Sequence, residues 1–399
     1  MKLHTARLLS QFRGRDLIDF LQPPPHRGTT ITQKRIVNLY VTRLQHLLSH
    51  KWLIGYPLRL TVDASSACNL ACPACPTGAG LVGRKRGHLP VSMFRWLMDE
   101  LGDYLFEVEM HNWGEPLLNP NIAELISLVT AKKVGSILCT NFSIPFDAAK
   151  AEALVAAGLT QLGVSLDGAS QETLEQYRVN ANFERILQNI RLVKEAKEKL
   201  GSSSPRIIYS FHIFPHNQHE VPAARALAKE LGIEFAADKG WVIGPDWDPD
   251  NPDNRYPLFT LPSAVGCGLL WDRAVVNNDG GVSSCEGSFF SEDDFGSIID
   301  KSYMSVWNNR RFQDARGPVW EQPENSDAQS LICRQCPETL QRKAYLEHLR
   351  KGGKRTSFAP LYNSNDGHNY FFKRRPERRR VPPDERIDLQ SVRDPQRNR

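Results

Sequence analysis

The stretch SACNLACPACPTG, residues 66–78, sets Cys68, Cys72 and Cys75 at C-x3-C-x2-C spacing, directly after a short apolar run, LRLTV, at 58–62. Thiolates this close in sequence can wrap three corners of an iron–sulfur cubane. The fourth iron then has no protein ligand and can chelate a small molecule through an amine and a carboxylate. A zinc knuckle completed by His88 is the alternative reading, although structural zinc sites favour C-x2-C pairs on both sides. Of the 8 cysteines, four more form a second group, Cys267, Cys285, Cys333 and Cys336, and Cys139 stands apart. The N-terminus MKLHTARLLSQFRGRDL has neither the apolar core nor the cleavage site of an export signal. The expected location is therefore cytoplasmic, where thiols stay reduced and clustered cysteines serve ligation rather than disulfides.

Outward from that loop, the chain from 58 to about 237 alternates short apolar runs with amphipathic segments, the pattern of repeated βα units. Strands are expected at 58–63, 107–112, 135–140, 160–166, 206–214 and 233–237, with helices at 93–101, 122–133, 148–157, 183–200 and 221–231. The fold class is α/β, a partial (βα)6 TIM-like barrel. Ligands of such folds gather beyond the C-terminal ends of the strands. That singles out the cysteine loop, His111-Asn112-Trp113-Gly114-Glu115-Pro116, Thr140-Asn141, Ser165-Leu166-Asp167-Gly168 and His216-Asn217.

Charge is segregated along the chain. Residues 1–50 carry 8 Lys+Arg against 2 Asp+Glu, residues 51–350 carry 29 against 37, and residues 351–399 carry 13 against 6. The overall +5 thus belongs to the ends, while the body is acidic, which argues against a nucleic-acid-binding face on the body. No apolar run reaches membrane-spanning length. Ahead of the first strand, Ile36, Val37, Leu39, Tyr40, Leu44, Leu47 and Leu48 recur at helical spacing.

Taken together, the cysteine loop, WGEP at 113–116, TN at 140–141 and SLDG at 165–168 resemble the motifs of the radical S-adenosylmethionine (SAM) superfamily, over roughly 58–237. Trp113 stands where that family often has glycine, and Phe142 where a glycine often follows TN. The resemblance implies a [4Fe-4S] cluster on Cys68, Cys72 and Cys75 that cleaves SAM reductively to a 5′-deoxyadenosyl radical. It implies that Trp113, Gly114, Glu115 and Pro116 meet the methionyl amine and that Asn141, Ser165 and Asp167 meet the ribose or carboxylate. Arg178, after ETLEQY, matches an arginine frequent in the SPASM-type branch and is assigned to the SAM carboxylate or a substrate oxygen, the alternative being a solvated helix arginine.

The second cysteine group flanks VVNNDGGVSSCEG, whose NDGG turn between apolar residues signals a hairpin. This region resembles the SPASM/twitch extension, with a β-hairpin and short helices. Four thiols imply one auxiliary [4Fe-4S] cluster; a four-cysteine zinc site satisfies the same ligands. The expected organisation is a helical extension over 1–55, the barrel over 56–240, a linker over 241–265, the auxiliary-cluster domain over 266–350 and a basic, largely disordered tail over 351–399. The expected reaction is dehydrogenation or epimerisation of a small polar, sugar- or cyclitol-like substrate, supplied with electrons by a flavodoxin- or ferredoxin-type donor. Peptide or RNA modification and non-catalytic electron transfer are the alternatives. Cys139 is expected to be a packing residue; facing the pocket, it could instead return a hydrogen atom to a substrate radical.

Overall fold

A computed structural model describes residues 20–24, 27–240, 267–317 and 332–352. The linker expected at 241–265 and the tail beyond 352 lie outside the described residues.

Six parallel strands alternate with helices: β1 (Arg59–Val62), α2 (Val91–Leu101), β2 (Glu107–Glu109), α3 (Ile122–Ala131), β3 (Gly135–Thr140), α4 (Ala148–Ala156), β4 (Gln161–Ser165), α5 (Gln171–Tyr177), α6 (Phe183–Lys199), β5 (Arg206–Ile213), α7 (Val221–Leu231) and β6 (Glu234–Lys239); helix α1 (Gln33–Leu47) precedes them. Local chemistry starts and stops these helices. Asp147, Ser170 and Asn182 each cap a helix by accepting a backbone amide three residues on, and Gly232 ends α7 at φ +64°, a left-handed geometry that costs glycine nothing.

Side chains alternate along the strands. Leu60, Val62, Val108, Leu138, Leu162 and Val164 are wholly buried against the helices, each contributing roughly 1.5–3 kcal/mol. Their neighbours Thr61, Glu109, Cys139, Ser165, Ser210 and His212 belong to the opposite, concave face, which is polar.

The sheet does not end with the barrel. After the short helix α8 (Leu269–Asp272), β7 (Arg273–Val276) pairs in parallel with β1, so the strand order is β6-β5-β4-β3-β2-β1-β7-β8-β9, with β8 (Gly281–Ser283) and β9 (Gly296–Ser297) antiparallel. The expected hairpin is β7–β8, turning at 277–280 with Gly280 at φ +82°. Helices α9 (Tyr303–Trp307), α10 (Arg310–Arg316) and α11 (Pro337–Arg350) follow.

One expectation is corrected and another is refined. Strand β2 stops at Glu109, not 112, because the chain then turns into the WGEP loop. Helix α1 forms where its periodicity places it, yet Ile36, Val37, Tyr40, Leu44 and Leu48 are exposed while Arg35, Asn38, Thr42, Gln45 and His46 are buried. The reason is Arg35, 2% exposed, whose guanidinium donates to the carbonyls of Thr30, Gly102, Leu105 and Lys132 and so satisfies helix ends at Gly102 and Lys132 that would otherwise be orphaned.

Candidate active site

Cys68, Cys72 and Cys75 line one cavity of about 510 Å³ at the C-terminal ends of the barrel strands, together with Trp113, Gly114, Glu115, Cys139, Asn141, Ser165 and Arg178. The sequence motifs thus converge on one space although they lie on four different strand ends.

The WGEP turn is pressed against the start of the cysteine loop. A Cβ on Gly114 would fall 1.6 Å from the Ser65 carbonyl oxygen, so only glycine fits, and the Glu115 amide donates to the Ala67 carbonyl at 2.7 Å. The Glu115 side chain is 2% exposed and accepts from Thr140 Oγ1 (2.7 Å) and the amides of Asn141 (2.8 Å) and Leu117 (3.1 Å). Its carboxylate therefore pins the β3 loop to the β2 loop. Asn141 is turned to the cysteine loop, with Nδ2 at 3.0 Å from Asn69 Oδ1 and 3.8 Å from Cys68 Sγ. Phe142 takes φ +54°, the conformation a glycine would favour there, and its fully buried ring packs on Phe146.

Arg178 closes another side. Its Nε donates to Asp167 at 2.6 Å and its Nη1 lies 4.0 Å from Cys72 Sγ. Asp167 is fully buried and also accepts from the His212 amide (2.7 Å) and faces His212 Nδ1 (3.0 Å). Burial works against its charge, but Arg178 and His212 outweigh burial and hold the carboxyl well below the usual range.

Two further pairs of groups adjoin this space, Asp63 with Arg84 outside the cavity lining and Cys139 with His111 within it. Asp63, at the end of β1, is 1% exposed, and its Oδ1 has no hydrogen-bond partner. Burial pushes it up to about 6, against the pull of Arg84 and of the Gly114 and Trp113 amides. Arg84 bridges from the cysteine loop to the hairpin, pairing with Asp279 (2.8 Å) and Asp294 (2.9 Å). Cys139 is half-buried, and its amide donates to His111 Nδ1 at 3.2 Å.

The three loop thiols suit an iron–sulfur group by their donor chemistry. Burial and the neighbouring Cys72, Glu115 and Cys75 push the Cys68 thiol well up, and burial raises Cys72 and Cys75 as well; a cationic iron centre is what reverses such a penalty. In the second group, burial and then Cys285, Cys336 and Cys267 raise Cys333, so the other three thiols are all within electrostatic reach of Cys333. Among the described residues, no three thiol, imidazole or carboxylate groups are drawn around a single-ion position.

The expected site residues fall at different places. Asp167 does not line the cavity but orients Arg178 and His212, and Pro116 is buried at the start of a 3-10 turn. Cys139 faces the cavity rather than packing away from it. At the end of β5 the cavity residues are Ser210 and His212, not His216 and Asn217. Asn217 is fully buried and donates to the Asp167 and His212 carbonyls, and His216 stacks on Phe214. Alternation along YSFHI could have found Ser210 and His212 had the strand end been placed at Ile213. His88 meets Ser65 Oγ at 3.1 Å through Nδ1.

A family model described as the radical SAM superfamily matches residues 63–217, and one described as the SPASM iron–sulfur cluster-binding domain matches 267–337. The chain is 31% identical over 296 residues to mycofactocin maturase MftC of Mycolicibacterium smegmatis, covering 66% of this chain and 73% of that one. It is 28% identical over 177 residues to the AdoMet-dependent heme synthase of Methanosarcina barkeri, covering 44% of this chain and 48% of that protein. The chain thus spans about half the length of that synthase. Among solved structures, Streptococcus suis SuiB bound to S-adenosylmethionine aligns with a TM-score of 0.53 at 15% identity, covering 76% of this chain and 78% of that one, a likeness of fold.

Proposed function

This chain belongs to the radical SAM superfamily, and on that premise we propose that it cleaves SAM reductively and abstracts hydrogen from a small polar, sugar- or cyclitol-like substrate, to dehydrogenate or epimerise it. The observation carrying the reading is that the three cysteines, Trp113, Gly114, Glu115, Asn141, Ser165 and Arg178 meet at a single cavity.

Cys68, Cys72 and Cys75 would hold the cluster that meets SAM, and Cys267, Cys285, Cys333 and Cys336 a single auxiliary one. When bound, the first supplies an electron to the SAM sulfonium, giving a radical able to take hydrogen from an unactivated C–H bond, and the second supplies electron transfer. The residues of the chain do the rest. Backbone groups of Trp113, Gly114 and Glu115 receive the methionyl amine, Asn141 and Ser165 the ribose or carboxylate, and Arg178 a carboxylate. Glu115 keeps the β2 and β3 loops at fixed separation, and Leu70, Ala74 and Tyr177 supply apolar wall that excludes water. His111, Asn112, Ser210 and His212 offer a substrate hydroxyl donors and acceptors at the same cavity. Electrons would come from a flavodoxin- or ferredoxin-type donor. Cys139, facing this space, favours redox-neutral hydrogen return.

A second reading, a peptide substrate, is favoured by the likeness to a mycofactocin maturase. The test is anaerobic reconstitution followed by reduction with SAM present. Expected are 5′-deoxyadenosine and about eight iron atoms per chain, the content of two cubanes. Absence of 5′-deoxyadenosine from a protein that has taken up its iron points to electron transfer without catalysis and ends the reading.

A further inference from the structure

Between the cavity and the second cysteine group stands a charged node whose centre is Arg273, the first residue of β7. The residue is 7% exposed, and its guanidinium donates to Glu109 Oε2 at 2.8 Å and to Thr61 Oγ1 at 3.2 Å and pairs with Glu286. Thr61 Oγ1 in turn lies 2.8 Å from Glu286 Oε1. Each carboxylate reports to a different centre. Glu286 follows Cys285 in sequence, while Glu109 lies two residues before His111, which lines the cavity. Arg273 is thus a cation shared by the floor of the cavity and the loop carrying an auxiliary ligand.

A buried positive charge beside a cluster favours the reduced, more negative state, because net charge and hydrogen bonding around the thiolates set reduction potentials across a wide range. We propose that Arg273 is a positioning residue of the auxiliary centre, holding the Cys285 loop against the cavity floor and raising the centre's reduction potential by its charge. The inference rests on the reading that the four cysteines hold a cluster. Strand pairing supports it: Arg273 lies opposite Arg59 in the β1–β7 register, so its side chain reaches Thr61 and Glu109 on the concave face.

The experiment is a potentiometric titration of the full-length, reconstituted chain followed by electron paramagnetic resonance, with iron and sulfide counted on each sample. Arg273→Gln is expected to lower the midpoint of the auxiliary centre, Arg273→Lys to restore most of it, and Glu286→Gln to raise it, with the SAM-binding centre unmoved in all three. An unchanged auxiliary midpoint in Arg273→Gln, or in Glu286→Gln should the arginine variant fail to assemble, overturns the inference alone. About four iron atoms in the unaltered chain, one cubane's worth, overturns the reading of the four cysteines and this inference with it.

Discussion

Arg178 and Asp167 form a buried ion pair, 2.6 Å from Nε to Oδ2, whose guanidinium also reaches to 4.0 Å from the Cys72 sulfur. Strand β4 carries the acid to its end and the C-terminus of α5 delivers the base, so the pair joins scaffold to cysteine loop. Asp167→Asn leaves a largely buried guanidinium without its partner and is expected to cost on the order of 3 kcal/mol in guanidinium chloride unfolding. Because the folded-state carboxyl is depressed, its contribution is complete above the ordinary aspartate range and is lost as pH falls below it. A variant whose acid limb matches the parent would show that the pair carries no stability.

Asp63 has the opposite sign. Burial raises it from 3.8 to about 6, so its protonated form suits the fold, and stability is fully present below pH 4 and declines as pH rises through 6. Asp63→Asn is expected to flatten that decline and to gain on the order of 3 kcal/mol at pH 8. Thermal unfolding of the two proteins between pH 4 and pH 8 reads it directly.

Gly114→Ala places a methyl group where the Ser65 carbonyl already is. The WGEP turn must move away from the cysteine loop, and at least a tenfold loss of SAM affinity is expected, equivalent to about 1.4 kcal/mol. Equilibrium binding of SAM to the reconstituted protein is the measurement; unaltered affinity would mean that the turn does not position the ligand.

Arg84→Met removes the cation between Asp279 and Asp294 while keeping an apolar stem. With the guanidinium only 4% exposed, a loss of roughly 3–5 kcal/mol is expected. The hairpin should become the first region to exchange its amides, and hydrogen exchange that is uniform across the chain would contradict this.

Much of the site was readable from residue order because its chemistry is local. Three thiols within one loop, a proline-terminated WGEP turn and a hairpin-forming NDGG each declare themselves within a few residues. The unread parts depend on distant partners. His212 rather than His216 reaches the cavity because Asn217 folds back on the Asp167 and His212 carbonyls, a contact no periodicity encodes. The exposed apolar face of α1 follows from Arg35 serving carbonyls as distant as Gly102 and Lys132. Asp167 is marked by its motif at a strand end, and packing adds its pairing with Arg178 and His212.

The parallel pairing of β1 with β7 has a practical outcome for anyone who would divide this molecule. A fragment stopped at residue 240 would leave one side of Arg59–Val62 with bare amides and carbonyls, an adhesive border inviting other chains to zip on. Such a truncation should precipitate rather than behave as a free-standing catalytic half, and grafting the C-terminal portion onto a foreign scaffold would deprive its opening strand of the neighbour it was shaped against.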